Sequence, residues 1–249
     1  MNHPLVIAHR GASAAAPENT MAAFELALRQ KADGIELDVW KCASGEVVVT
    51  HNRDTKALTG KSGDVERMSL KELRRLDFGA LKAPKYRNEK IPTLKEVLDL
   101  ARGLEIINIE IKGVNIRSRG IELDVAEAIL QFKLLRRVIV SSFNPTILLR
   151  LQSLNPAIRI GLLLYEKSPL PLRQGWTARF LNPYSIHPSC ALLQKKLVER
   201  AHRRKQRVIA WTINDFSQFE TCIRHGVDAM ITDDPAWMLE ALKDKEFKV

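Results

Sequence analysis

The chain has 249 residues, 45% of them hydrophobic, enough to bury a sizeable core in one large domain or two small ones. Its formal net charge is +10, compatible with nucleic acid, a membrane surface, or anionic substrates drawn in by long-range attraction. The three cysteines, Cys42, Cys190 and Cys222, are scattered and show no CxxC or metal-type spacing, which speaks against a disulfide framework and for a reducing compartment.

Met1 to Ala8 lacks a basic n-region and a long apolar h-region, and it runs straight into a strand-like stretch. No apolar run approaches the length of a transmembrane helix, so the reading is a soluble cytoplasmic protein with no stable membrane insertion. Short apolar runs then alternate with helical patterns. The predicted strands are Leu5–His9, Gly34–Val39, Glu105–Ile111, Arg137–Ser142, Arg159–Leu164, Leu181–Ile186, Arg207–Ile213 and Asp228–Thr232. The predicted helices are Asn19–Gln30, Leu94–Ala101, Ile121–Gln131, Thr146–Leu154, Ala191–Lys205, Phe216–Arg224 and Pro235–Lys243. Asn144-Pro145 and Asp234-Pro235 read as helix starts with proline at the first helical position. The basic run from His202 to Arg207 reads as the cationic last turn of a helix rather than a nucleic-acid patch.

Eight strand–helix units predict an α/β fold, a closed (β/α)8 TIM barrel; an open doubly wound sheet has the same alternation. Glu46–His51 follows a Ser44-Gly45 turn and predicts a hairpin with the Gly34–Val39 strand. Residues 52–92 are too long for an ordinary connection and read as a small insertion into one domain spanning 1–249, with a short helix near Ser69–Leu76.

Side chains two apart on a strand share a face, so Glu36 and Asp38 point together, and so do Asn108, Glu110 and Lys112. In a barrel the active site lies at the C-terminal ends of the strands. His9 and Arg10, Glu36 and Asp38, His51, and Glu110 and Lys112 then converge on one rim. Buried carboxylates repel one another unless a cation or protons neutralise them, so Glu36, Asp38 and Glu110 read as ligands of a metal. All-oxygen ligation favours Mg²⁺ or Ca²⁺ over Zn²⁺. Lys112 could instead neutralise a carboxylate as a plain salt bridge. His9 and His51 fit general acid and base roles beside such a cluster, although each taken singly would be an inert core histidine. His3, His187, His202 and His225 lack such company and are read as structural. Arg10 offers a planar fork for a phosphate oxygen, or a surface ion pair. Trp211 is either an apolar wall for a ligand or a core aromatic under the helices.

The series His9-Arg10-Gly11, Pro17-Glu18-Asn19-Thr20, Glu36-Leu37-Asp38-Val39, Val49-Thr50-His51 and Asn108-Ile109-Glu110-Ile111-Lys112 resembles the glycerophosphodiester phosphodiesterases. Val140-Ser141-Ser142-Phe143, Trp211-Thr212-Ile213-Asn214 and the stretch from Gly226 to Pro235 agree, so the resemblance covers nearly the whole chain. It implies a (β/α)8 barrel with a small insertion after the second strand and its hairpin. It also implies hydrolysis of glycerophosphocholine, glycerophosphoethanolamine or similar diesters to glycerol 3-phosphate and an alcohol. By the same resemblance, Glu36, Asp38 and Glu110 bind one divalent cation, and His9 and His51 are the acid/base pair. Arg10 and Lys112 hold phosphate oxygens, Glu18 and Asn19 organise the first strand–helix loop, and Trp211 lines the glycerol pocket. Asn52 departs from the family, where aspartate is common after this histidine, as does the loop pattern from Arg53 to Gly60.

The attacking group is either water or the substrate's own glycerol hydroxyl, and either histidine can take either role. A lysophospholipase D or phospholipase D-like enzyme of the same fold is the alternative; the basic, polar insertion favours water-soluble diesters over lipids. The expected partner is a small-molecule phosphodiester and not nucleic acid, with the protein a monomer or homodimer. A barrel that only binds anions would have lost a ligand or a histidine, and all five positions are intact.

Overall fold

The alternation of apolar runs and amphipathic stretches resolves into a closed barrel. A computed structural model describes residues 3–113, 120–170 and 178–246. The first strands are β1 (Leu5–His9), β2 (Gly34–Lys41) and the short β3 (Val47–Val49), which runs antiparallel to β2. Six more follow: β4 (Ile106–Ile111), β5 (Val138–Ser142), β6 (Arg159–Leu164), β7 (Ser185–Pro188), β8 (Arg207–Ala210) and β9 (Ala229–Thr232). All but β3 are parallel, in the order β1-β2-β4-β5-β6-β7-β8-β9, and β9 pairs back onto β1. That ring of eight removes the open-sheet alternative: an open sheet would leave β1 and β9 as edges.

Helices cover the outside: α1 (Met21–Arg29), then α2 (Lys56–Thr59) and α3 (Leu70–Leu73) within the 52–92 segment, then α4 (Leu94–Leu100). The rest are α5 (Ile121–Gln131), α6 (Pro145–Leu154), α7 (Ala178–Leu181), α8 (Lys195–Arg203), α9 (Phe216–His225) and α10 (Pro235–Glu246). Their starts are chemically marked. Thr93 with Glu96, and Ser69 with Glu72, form reciprocal capping boxes at α4 and α3. Asn144 caps α6 ahead of Pro145, Asp215 caps α9, and Gly226 ends α9 in the left-handed conformation at φ 70°.

Strand alternation divides the apolar residues into two cores. Ile35, Leu37, Ile107, Ile109 and Val140 face outward and pack beneath the helices. Ile7, Ile106, Ile139, Ile209 and Ile231 face inward and fill the N-terminal part of the barrel. The 52–92 segment has an apolar centre of its own, in which Val65, Leu73, Phe78 and Ile91 pack against Val48 of β3 and Cys42.

Three expectations need correction. The predicted strand Leu181–Ile186 sits too early: Leu181 ends α7, Asn182 has φ 43°, and the strand begins at Ser185. An apolar residue looks alike at a buried helix end and in a strand, whereas the true strand places polar Ser185 and His187 inward. The predicted helix Ala191–Lys205 is a 3₁₀ turn, Cys190–Leu192, followed by α8. The hairpin strand stops at Val49, so His51 lies beyond it, held by the Thr50 N–H donating to the Asp38 carbonyl at 3.0 Å.

Candidate active site

The inward positions at the C-terminal ends of β1, β2 and β4 are charged. In register, His9 lies beside Glu36, Glu36 beside Asn108, and Asp38 beside Glu110. Glu36, Asp38 and Glu110 are all buried, and each offers an oxygen within 4.8 Å of the others. The five residues expected to carry ligation and acid/base chemistry thus come together, with Arg10 and Lys112 among them.

Lys112 follows β4 and donates to Asp38 Oδ1 at 2.8 Å and to Glu110 Oε1 at 2.6 Å. Burial opposes its charge, but Asp38 and Glu110 outweigh burial and raise its pKa above the usual lysine range. Arg10 has φ 55°, in the turn that Gly11 completes at φ 81°; a Cβ on Gly11 would collide with the Ala23 backbone at 2.6 Å. This turn aims the Arg10 amide at Glu36 Oε2, 3.1 Å away. Its guanidinium donates to both Glu18 oxygens at 3.1 Å, and its Nε lies 3.3 Å from Asp38 Oδ2. Asn19 does more than order the loop. Its Nδ2 donates to Asp38 Oδ2 at 2.8 Å, and its Oδ1 accepts the Asp38 amide at 3.3 Å.

Charge is unevenly distributed over the three carboxylates. Burial would raise Asp38, but Lys112, Arg10 and His51 outweigh it and hold Asp38 below the usual carboxylate range. Burial, with repulsion from Asp38 and Glu110, pushes Glu36 well above that range. Burial pushes Glu110 up to about 7, against the pull of Lys112. Lys112 and Arg10 thus face three carboxylates, of which Glu36 and Glu110 hold their protons more tightly than usual. A divalent cation fits this all-oxygen donor set and would favour the ionised form of all three.

The two histidines are held differently. His9 Nδ1 lies 2.6 Å from Asp233 Oδ1, so Nδ1 carries the proton and Nε2 faces Glu36, 3.9 Å away. Asp233 in turn accepts from Asn214 Nδ2 at 2.6 Å and from Ser13 Oγ at 3.1 Å. These partners outweigh burial and lower the Asp233 pKa. His51 Nδ1 instead pairs with the neutral amide oxygen of Asn52 at 2.9 Å. Burial, with Lys112 and Arg10, lowers the His51 pKa against the pull of Asp38. Asp233, Asn214 and Ser13 were missed as site residues. The available signal was position: Asp233 directly follows β9, on the rim where chemistry gathers.

Trp211, just past β8, packs on the inward apolar core and donates Nε1 to the His187 carbonyl at 2.7 Å. Its ring meets Phe143 edge-on at 5.7 Å and Tyr165 at 5.8 Å. The three form an aromatic wall at the ends of β5, β6 and β8; Phe143 and Tyr165 were also missed, although each directly follows a strand. On the other flank of His9, a cavity of about 680 Å³ is bordered by Arg10, Glu18, Asp233, Lys82 and Trp237.

Comparisons with known proteins identify the family and the fold. Residues 9–237 match the model of the glycerophosphoryl diester phosphodiesterase family. A glycerophosphodiester phosphodiesterase of Caldanaerobacter subterraneus is 38% identical over 96% of this chain and 98% of its own. One from Bacillus altitudinis is 35% identical over 92% of this chain and 94% of its own. An Oleispira antarctica phosphodiesterase, solved with its product sn-glycerol-3-phosphate, superposes with a TM-score of 0.83 at 29% identity, covering 96% of this chain and 97% of that one. The chain belongs to the glycerophosphoryl diester phosphodiesterase family, whose members are phosphoric diester hydrolases.

Proposed function

We propose that the protein hydrolyses glycerophosphodiesters such as glycerophosphocholine and glycerophosphoethanolamine to sn-glycerol 3-phosphate and an alcohol, with one divalent cation, Mg²⁺ or Ca²⁺. The observation that carries this reading is the pair of differently supported histidines flanking three buried carboxylates and two cationic side chains. The product bound in the Oleispira antarctica relative supports the substrate class. Glu36, Asp38 and Glu110 would hold the cation, which when bound supplies Lewis-acid stabilisation of charge on the phosphoryl oxygens. Arg10 and Lys112 stabilise the same oxygens, each kept charged by its carboxylate partners.

The support of each histidine divides the proton transfers. His51, desolvated and paired with a neutral amide, is uncharged near neutral pH and takes the proton of the attacking water or glycerol hydroxyl. His9, whose doubly protonated imidazolium the Asp233 carboxylate on Nδ1 would stabilise, would deliver its Nε2 proton to the departing alkoxide and return to the Nδ1–H form. The cavity beside His9 gives the alcohol a way out. Trp211, Phe143 and Tyr165 are the wall for the glycerol carbons. Among the described residues no helix is long and apolar enough to cross a membrane. The polar, basic 52–92 segment supports action on water-soluble diesters, and the three free cysteines support a reducing compartment such as the cytoplasm.

The test is release of sn-glycerol 3-phosphate from glycerophosphocholine, with EDTA and then with Mg²⁺ or Ca²⁺ restored. Release that stops on chelation and returns with metal is the expected result. Release of choline from lysophosphatidylcholine, with no sn-glycerol 3-phosphate from glycerophosphocholine, would replace this reading with a lysophospholipase D.

A further inference from the structure

Two inward oxygens beside the carboxylates, Asn108 Oδ1 on β4 and Ser141 Oγ on β5, are buried without a hydrogen-bond partner, and Asn108 is the one flanked by two of the trio. Asn108 is only 1% exposed, and its side-chain Oδ1 is buried with no hydrogen-bond partner. Buried polar groups normally have partners, so an orphan oxygen asks what satisfies it. Asn108 stands two residues before Glu110 on β4, hence on the same inward face. Its Cα is also the register partner of Glu36 on β2. Its next inward neighbour along β4, Glu110, and its register partner on β2, Glu36, are therefore both members of the carboxylate trio. An inward position in a barrel is ordinarily filled by a branched apolar side chain, as Ile106 fills the one below it.

We propose that Asn108 supplies a fourth protein oxygen, through its amide carbonyl, to the cation bound by Glu36, Asp38 and Glu110. Mg²⁺ and Ca²⁺ take six or more oxygens and accept amide carbonyls among them. Three monodentate carboxylates leave positions to fill. A neutral ligand fills one without adding a fourth negative charge to groups that already repel one another. Aspartate would give the same oxygen at the cost of that repulsion, and leucine would match the volume but offer no lone pair.

The inference rests on the reading that the trio binds a cation, and calorimetric titration of metal-stripped protein with Mg²⁺ and with Ca²⁺ separates the two. The expected result is that Asn108→Leu binds at least about tenfold more weakly than wild type. Asn108→Asp should bind as tightly as wild type or more tightly. Thermal unfolding of the stripped proteins checks that the variants are folded; should Asn108→Leu not fold, Asn108→Ala carries the same expectation. Affinity of the apolar variant within twofold of wild type would overturn the role of Asn108 and leave the trio as the site. Asn108→Asp binding as weakly as Asn108→Leu would also overturn it. Wild-type protein that takes up neither ion would overturn the cation reading, and this inference with it.

Discussion

The two ends of the barrel interior are built from the same strands by the same rule, yet they do opposite things. On β1, Ile7 lies one inward position below His9; on β5, Ile139 lies below Ser141. Ile209 lies below Trp211, and Ile231 below Asp233. On β4, Ile106 is followed inward by Asn108 and Glu110. The lower layer is apolar and supplies stability. The upper layer is largely polar or charged, and burial together with like-charge repulsion works against it at Glu36 and Glu110. A shift of one inward position separates a layer that favours folding from one that opposes it, so substitutions on a single strand should separate stability from catalysis.

The largest effect should come from the upper layer. His51→Ala is expected to lower kcat by about 10²–10⁴-fold while thermal unfolding stays near wild type. Turnover close to wild type would remove His51 from the proton transfers. Asp233→Asn comes next. It keeps the shape but lets His9 Nδ1 act as acceptor, so kcat should fall by about 10²-fold or more with little change in KM. An unchanged kcat would mean that Asp233 only braces the loop.

Ile139→Ala probes the lower layer, where truncation of a fully packed side chain costs about 2–5 kcal/mol. Unfolding by denaturant should show that loss, and kcat measured well below the transition should stay within a few-fold. A collapse of kcat in folded Ile139→Ala protein would mean that the two layers are not separable.

A pH experiment sharpens the contrast. In the cation-free protein Glu110 has a raised pKa of about 7, against an ordinary 4.5. The folded state therefore holds this proton more tightly than the unfolded state, a contribution present below about pH 4.5 and lost as pH rises through about 7. Glu110→Gln removes it. Its stability relative to wild type in EDTA should rise across that window by up to about 3 kcal/mol. Comparing two proteins cancels the opposite trend from His187, whose pKa burial lowers to about 3. A flat difference would show that Lys112 already neutralises Glu110.

The smallest effect is expected where the 52–92 segment meets the barrel. Tyr86, half-buried, donates Oη to the Ala15 carbonyl at 2.9 Å. Tyr86→Phe should cost about 1 kcal/mol or less. A larger drop in the midpoint would show that this contact helps hold the loop carrying Arg10.

Much of the site is legible in the amino-acid sequence. Glu36, Asp38, Glu110 and His9 sit on strands whose period of two is local, so their common facing follows from spacing. Lys112 is legible as a partner because it continues that spacing beyond β4. The 52–92 segment is legible by its length, although its small apolar centre around Leu73 and Phe78 is not. The expected strand at Leu181–Ile186 fails where an apolar helix end precedes a strand with a polar inner face.

What the sequence by itself determined is which residues face inward, because facing is a property of a few neighbouring backbone angles. What only the tertiary structure decided is which inward residues meet. His9 and Asp233 are 224 positions apart, and they touch only because β9 closes onto β1. Phe143, Tyr165 and Trp211 form one wall only because β5, β6 and β8 curve around one interior. Register and closure are set by the packing of the whole barrel, which no local spacing encodes.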